Sequence, residues 1–231
     1  MEKIVKIAII VLLLAGAAGY FFFGNDTNKK VIDTIPEKKV SASGVTIVAF
    51  GDSLTAGYGL PENESYPAQL EVALKAAGKN VTVINSGVSG ETTRGNLERA
   101  PFIRSQNPDI VLLGIGGNDA LRALPIEDTI KNINETISIL KDGENPPVVI
   151  LLQMQSPLNA GVSYKRTFDA LYKDIATAQG VMLLPFLTTE IFLNQENKIS
   201  DGIHLNKVGY SKVVEQYLLE PVSDVVTKLG G

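Results

Sequence analysis

Residues 45–59 read V-T-I-V-A-F-G-D-S-L-T-A-G-Y-G. Val45 to Phe50 form an apolar run rich in β-branched side chains, long enough for a strand and short for a buried helix. The run stops at Gly51, and the polar pair Asp52-Ser53 follows at once. Gly-Asp-Ser is ordinary turn chemistry and can start the next element. At the end of a strand the same serine is also placed to act as a nucleophile. The residues of this stretch leave both readings open.

Outward from it, short apolar runs alternate with helical periodicity. Pro67 opens a helix whose apolar positions Leu70, Ala73, Leu74 and Ala77 follow i, i+3, i+4 and i+7, and Gly78 stops it. Further strands are expected at 81–84, 109–115, 147–152 and 181–184. Helices are expected at 92–103, 126–141 and 164–179, and a last helix begins over 207–219. Strands separated by helices make βαβ units and a parallel sheet. The strands are continuous apolar runs, as burial of both faces requires. The expected fold is α/β: a three-layer α/β/α sandwich around a five-stranded parallel sheet with the flavodoxin-like strand order 2-1-3-4-5. Strand 1 then lies between strands 2 and 3, where the winding direction switches and ligands bind beyond the carboxyl ends. The loops after strands 1, 2 and 3 carry Ser53, Gly90 and Asn118, which are therefore expected side by side.

The chain has 231 residues, 45% hydrophobic and 20% charged, with net charge −4. It has no block of basic residues, so a nucleic-acid partner is not expected. There is no cysteine and one histidine, His204. That removes disulfides, thiol nucleophiles and thiolate metal sites, together with any metal centre built from several imidazoles. No G-x-x-x-x-G-K-[ST] loop occurs, and Gly57-Tyr58-Gly59 does not complete a dinucleotide fingerprint. No cofactor and no metal are expected.

Residues 1–24 stand apart. Lys3 and Lys6 precede an uncharged stretch at 7–23, which fits a secretory signal peptide or a short membrane anchor. Ala15-x-Ala17 has the small-residue form needed for cleavage, but a cut there leaves Tyr20, Phe21, Phe22 and Phe23 exposed. As a helix the stretch spans roughly 25 Å, the short end of a transmembrane segment. Its aromatic cluster suits a membrane interface, which favours a retained anchor. In both cases the lysines stay cytoplasmic and the rest of the chain is expected to be exported to the periplasmic side. Residues 25–43, of mixed charge with few large apolar side chains, are expected to form a flexible polar tether. Residues 44–231 are expected to form one domain, most simply a monomer.

A serine nucleophile needs a base to take its proton, and the base needs a partner that fixes its tautomer. His204 is the histidine on offer, and Asp201 three residues earlier can reach back to its Nδ1 within a tight loop or first helical turn. Taken alone, the pair is also an ordinary helix cap. Acyl transfer further needs donors for the oxyanion. Gly90 offers an unobstructed N–H, Asn118 an amide beside Gly116 and Gly117, and Ser53 its own N–H; each alone is also turn chemistry. Other templates fail: G-V-S-G-E at 87–91 is not a G-x-S-x-G elbow, and the S-x-x-K match at 138–141 lies in a helical pattern without a K-T-G.

Four separated blocks occur in order: G-D-S-L-T-A-G-Y-G at 51–59, S-G-E-T-T at 89–93, G-G-N-D-A-L-R at 116–122 and D-G-I-H-L-N at 201–206. Through them the chain resembles the GDSL esterases, or SGNH hydrolases, over nearly all of residues 46–220. G-G-N-D-A-L-R, Gln153-x-Gln155 with Pro157, and L-L-P-F at 183–186 make it most similar to the bacterial exported arylesterase, acyl-CoA thioesterase and lysophospholipase members. The resemblance implies Ser53 as nucleophile, His204 as base and Asp201 as its partner. It implies Ser53 N–H, Gly90 N–H and Asn118 Nδ2 as the oxyanion hole, and small acyl esters or thioesters as substrates. Asp52 and Asp119 are expected to shape loops as acceptors, while Leu121, Leu124, Pro157 and Leu158 are candidate walls of an acyl groove. The usual relative is soluble with a cleaved signal, and the anchor-like N-terminus departs from that. Two other readings fit the same chain. One is a carbohydrate O-acetylesterase acting on cell-wall or exopolysaccharide sugars, which a preference for acetyl esters would reveal. The other is an anchored binding protein without turnover, against which the complete Ser, Gly, Asn, Asp and His set stands.

Overall fold

Five strands pair in parallel in the order β2-β1-β3-β4-β5: β1 Val45–Gly51, β2 Val81–Gly87, β3 Ile110–Gly114, β4 Val148–Gln153 and β5 Met182–Pro185. They belong to a computed structural model that describes residues 27–35 and 44–231. This is the flavodoxin-like order expected as the first choice among doubly wound sheets. β1, β3 and β4 are buried along nearly their whole length. β2 is not, because it lies at the sheet edge: Val81 is buried while Thr82 and Ile84 are exposed. Its expected end at 84 also falls short. Asn85, Ser86 and Gly87 continue the ladder opposite Ala49, Phe50 and Gly51, so pairing overrides their poor strand propensity.

The helices are α1 (residues 27–34), α2 (Ser53–Ala56), α3 (Tyr66–Ala76), α4 (Thr93–Ser105), α5 (Gly117–Leu121), α6 (Ile126–Leu140), α7 (Gly161–Gln179), α8 (Thr189–Leu193), α9 (Lys207–Val213) and α10 (Leu219–Lys228). α3 packs with α9 and α10 to form one outer layer, and α6 packs with α4 and α7 to form the other. Between them lie the fully buried Ile47, Val48, Ala49 and Phe50 of β1 and Ile110 to Leu113 of β3. The last helix runs beyond the expected 219 to Lys228. Between α9 and α10, Val214–Leu218 widens into a π turn in which the Leu219 N–H reaches the Val214 carbonyl. Pro221 accounts for this, since it has no N–H for the Tyr217 carbonyl and its ring needs room there.

The segment expected to be a flexible tether contains α1. Its Val31 and Ile32 pack against the core and Ile35 is buried. Asn28 holds it to the open edge of β5: Nδ2 donates to the Leu183 carbonyl at 2.9 Å, and Oδ1 accepts from the Leu183 N–H at 3.0 Å. One side chain thus stands in for a missing strand, satisfying edge groups that otherwise face water or another chain. Asn28→Ala is expected to lose about 1 kcal/mol and lower the thermal unfolding midpoint by roughly 2–4 °C. Residues 1–26 and 36–43, including the candidate anchor at 7–23, lie outside the described residues. Among the described residues, no helix is long and apolar enough to cross a membrane.

Candidate active site

Sheet register decides where the site forms. Gly51, Gly87 and Gly114 end β1, β2 and β3 and are ladder partners of one another across β1. The loops carrying Ser53, Gly90 and Asn118 therefore leave the sheet at one level. The Val88 N–H donates to the Gly51 carbonyl at 3.0 Å, tying the second loop to the first. A side chain at Gly51 would strike Thr55 and the Gly114 carbonyl, so this close approach requires glycine there.

Asp52 turns the chain from strand to helix. Its Oδ1 accepts from the Leu54 N–H at 2.9 Å, and its carbonyl accepts from Thr55 and Ala56, which starts α2 as an N-cap does. Ser53 is the first residue of α2, so its N–H has no partner within the helix. After one turn Gly57 closes α2 at φ 75°. Burial pushes the Asp52 carboxyl up to about 6, opposed by the Leu54 N–H, the charge of His204 and the Asn118 amide.

The loop before α9 brings in the histidine. Lys198 and Leu205 bridge antiparallel, and the Ile199 N–H donates to the His204 carbonyl at 3.0 Å. Asp201 Oδ1 accepts from the N–H groups of Ile203 and His204 at 2.8 and 3.0 Å. Its Oδ2 lies 2.6 Å from His204 Nδ1, and His204 Nε2 lies 2.7 Å from Ser53 Oγ. Desolvation pulls the Asp201 carboxyl upward, but the hydrogen bonds from the His204 ring and from the two N–H groups outweigh it and hold the carboxyl below its ordinary range. With Nδ1 donating to the carboxylate, Nε2 is left as an acceptor for the serine proton.

On the other side of Ser53, Gly90 has φ 81° and an exposed main chain. Arg122 Nη2 donates to its carbonyl at 2.9 Å. Asn118 lies two residues after Gly116, where φ is 105° and an added Cβ would meet the Tyr172 hydroxyl at 2.6 Å. Asn118 Nδ2 donates to the Glu91 carbonyl at 3.0 Å and lies 3.4 Å from Asp52 Oδ2. Asp119 is buried and fastens α5 to α4: its carboxylate accepts from the Thr93 N–H at 2.9 Å and the Thr93 hydroxyl at 2.6 Å.

The groove candidates come from two neighbouring segments. Leu121 ends α5 with its side chain exposed, and its carbonyl accepts from Asn159 Nδ2 at 2.9 Å. The Leu124 carbonyl accepts from the Tyr164 hydroxyl at 2.9 Å. Pro157 is half-buried beside the short turn Leu158–Ala160, which meets α5; the side chain of Leu158 lies outside the described residues. Sequence reasoning passed over Tyr58, whose ring lies 4.7 Å from that of His204 at 40°. The sequence shows only an aromatic residue between Gly57 and Gly59, which does not announce His204 as its neighbour; in the fold both glycines take positive φ. Tyr58, Val88, Leu121 and Ile203 are exposed apolar side chains on or beside these four loops. Among the described residues, no group of three or more His, Asp or Glu is placed to hold a metal ion.

Such a site offers a serine hydroxyl, a base with a fixed tautomer and nearby N–H donors. Known proteins with similar sequences fit it. The profile of the GDSL-like Lipase/Acylhydrolase family matches residues 49–212. An arylesterase of Vibrio mimicus is 38% identical over 166 residues, 71% of this chain and 82% of that protein. Thioesterase 1/protease 1/lysophospholipase L1 of Escherichia coli strain K12 is 33% identical over 168 residues, covering 72% and 78%. The crystal structure of the psychrotrophic esterase EstA from Pseudoalteromonas sp., inhibited by monoethylphosphonate, superposes with TM-score 0.69 at 26% identity, covering 79% of this chain and 97% of that one. The chain belongs to the GDSL-like lipase/acylhydrolase family and is an ester-hydrolysing enzyme.

Proposed function

We propose that this enzyme hydrolyses single-chain acyl esters and thioesters (aryl esters, acyl thioesters and lysophospholipids) through an acyl-enzyme on Ser53. The continuous chain from Asp201 Oδ2 through His204 to Ser53 Oγ, with contacts of 2.6 and 2.7 Å, carries this reading. Ser53 Oγ attacks the acyl carbonyl as its proton passes to His204 Nε2. The N–H groups of Ser53 and Gly90 and the Asn118 amide take the oxyanion, each worth roughly 3 kcal/mol of barrier. Collapse breaks the bond to the alcohol or thiol, which leaves with the proton from His204. Water then gives its proton to His204, attacks the acyl-enzyme and releases the acid with free Ser53. The similarity to a thioesterase/lysophospholipase and the exposed apolar side chains of Tyr58, Val88, Leu121 and Ile203 on or beside the site loops support an acyl chain longer than acetyl. Nitrophenyl esters of increasing chain length, acyl-CoAs, lysophosphatidylcholine and acetylated sugars, compared by kcat/KM, test this. Highest values are expected for medium acyl chains; turnover confined to acetyl esters or sugars would sink the reading.

Residues 7–23 are proposed to carry the enzyme out of the cytoplasm and to stay as its anchor, with Lys3 and Lys6 inside. The catalytic domain then works at the outer face of the membrane as a monomer. Intact mass of the exported protein distinguishes a retained segment from a cleaved one.

A further inference from the structure

We propose that Glu91 and Arg99 form the positioning device of the oxyanion hole, setting Gly90 and Asn118 relative to the strand that carries Ser53. Glu91 touches both donors. It follows Gly90 in the chain, and its N–H closes the turn onto the Val88 carbonyl at 3.2 Å. Its own carbonyl accepts from Asn118 Nδ2 at 3.0 Å. The Glu91 position therefore fixes the direction of the Gly90 peptide and the aim of the Asn118 amide together.

Its carboxylate is held from α4. Arg99 meets it in a fork, Nε to Oε1 at 2.8 Å and Nη2 to Oε2 at 2.5 Å, and Asn96 Nδ2 adds a third bond to Oε2 at 2.5 Å. Two-point guanidinium–carboxylate pairing restricts rotation as well as distance. Arg99 Nη2 also reaches the Ser86 carbonyl at 3.1 Å and the Gly51 carbonyl at 3.3 Å, and the guanidinium lies 4.8 Å over the Phe50 ring. Gly51 and Phe50 are the end of β1, two and three residues before Ser53. One side chain thus joins the nucleophile's strand, the end of β2 and the residue that aims both remaining donors.

α4 makes room for the pair. A Cβ on Gly95 would fall 2.7 Å from Glu91 Cγ and 3.2 Å from its Oε1. Because the carboxylate is clamped at three points, Glu91 cannot swing aside, and glycine is the residue that lets it pass through the first turn of α4.

Both residues act through Gly90 and Asn118, so they are positioning residues, and their signature lies in kcat. On the intact enzyme with a short aryl ester, Arg99→Met is expected to lower kcat about 30–100-fold while KM changes less than about threefold, the scale of a misaligned donor. Arg99→Lys keeps the charge without the fork and is expected to recover only part of the loss. In an Asn118→Ala background, Arg99→Met is expected to cost only about 5–10-fold, because one of the two donors it aims is already gone and only the Gly90 share of the loss remains. Full additivity of the two changes would overturn the proposal, as would a loss confined to KM. Gly95→Ala guards against a variant that fails to fold, since alanine favours the helix and leaves both charges in place. It is expected to lower kcat about tenfold and, because the new Cβ presses on the clamped Glu91, to lower the thermal midpoint by a few degrees while the protein stays folded at assay temperature; an unchanged kcat would also overturn the proposal.

Discussion

Ser53→Ala is expected to lose labelling by a fluorophosphonate probe and to lower kcat by about 10⁵–10⁶-fold, the scale seen when a triad serine is removed. The proposed reaction has no second nucleophile to fall back on. The chain has no cysteine, and His204 and Asp201 only prepare the hydroxyl 2.7 Å away. The fold is expected to survive the change. The Ser53 carbonyl keeps its bonds from the Gly57 and Tyr58 N–H groups at 3.1 and 3.0 Å, and Asp52 still caps α2. Thermal midpoints of the two proteins should therefore agree within about 2 °C, which separates chemistry from stability. Some hydrolysis above the rate in water should remain, because oxyanion donors and substrate binding are left intact. Wild-type turnover by the Ser53→Ala protein would sink the mechanism.

Much of the architecture is legible before any coordinates, for a physical reason. Strands buried on both faces must be written as continuous apolar runs, and those at 45–50 and 109–115 are almost nothing else. Parallel order then places Ser53, Gly90 and Asn118 together beyond the carboxyl ends of the strands, because Gly51, Gly87 and Gly114 share a rung. What stays hidden is whatever depends on a partner distant in sequence. Asn85-Ser86-Gly87 has no strand pattern and is extended only because β1 pairs with it. α1 lacks a strong apolar stripe, and it docks through an amide pair with Leu183, 155 residues on. The Glu91–Arg99 fork crosses from a loop to a helix, and a charged pair eight residues apart lies two turns (~12 Å) apart on a helix, beyond the i+3 and i+4 spacings at which side chains pair. Tyr58 beside His204 is invisible for the same reason: nothing between 58 and 204 announces that the two loops meet.

Asp201→Asn is the second large effect, and the loop geometry gives it a direction. Oδ1 of Asp201 accepts from the N–H groups of Ile203 and His204, and in an asparagine only the amide oxygen can take that place. An asparagine at this site must therefore turn its NH₂ toward His204 Nδ1, where Oδ2 now stands at 2.6 Å. That amide donates to Nδ1, so the ring proton moves to Nε2, and Nε2 can no longer accept from Ser53. At pH 7 kcat is expected to fall about 10⁴-fold with little change in KM. Stability carries an independent check. The Asp201 carboxyl is held below its ordinary value in the folded protein, so its contribution is present above the unfolded-chain value and is lost as pH falls through the lower folded one. Wild type is therefore expected to be more stable than Asp201→Asn at pH 7, with the gap closing as the solution is acidified below about pH 4. Denaturant titrations at a series of pH values measure it. A gap that widens on acidification would show that Asp201 is not held ionised by His204 and the two N–H groups, and the tautomer explanation for the loss of kcat would fall with it.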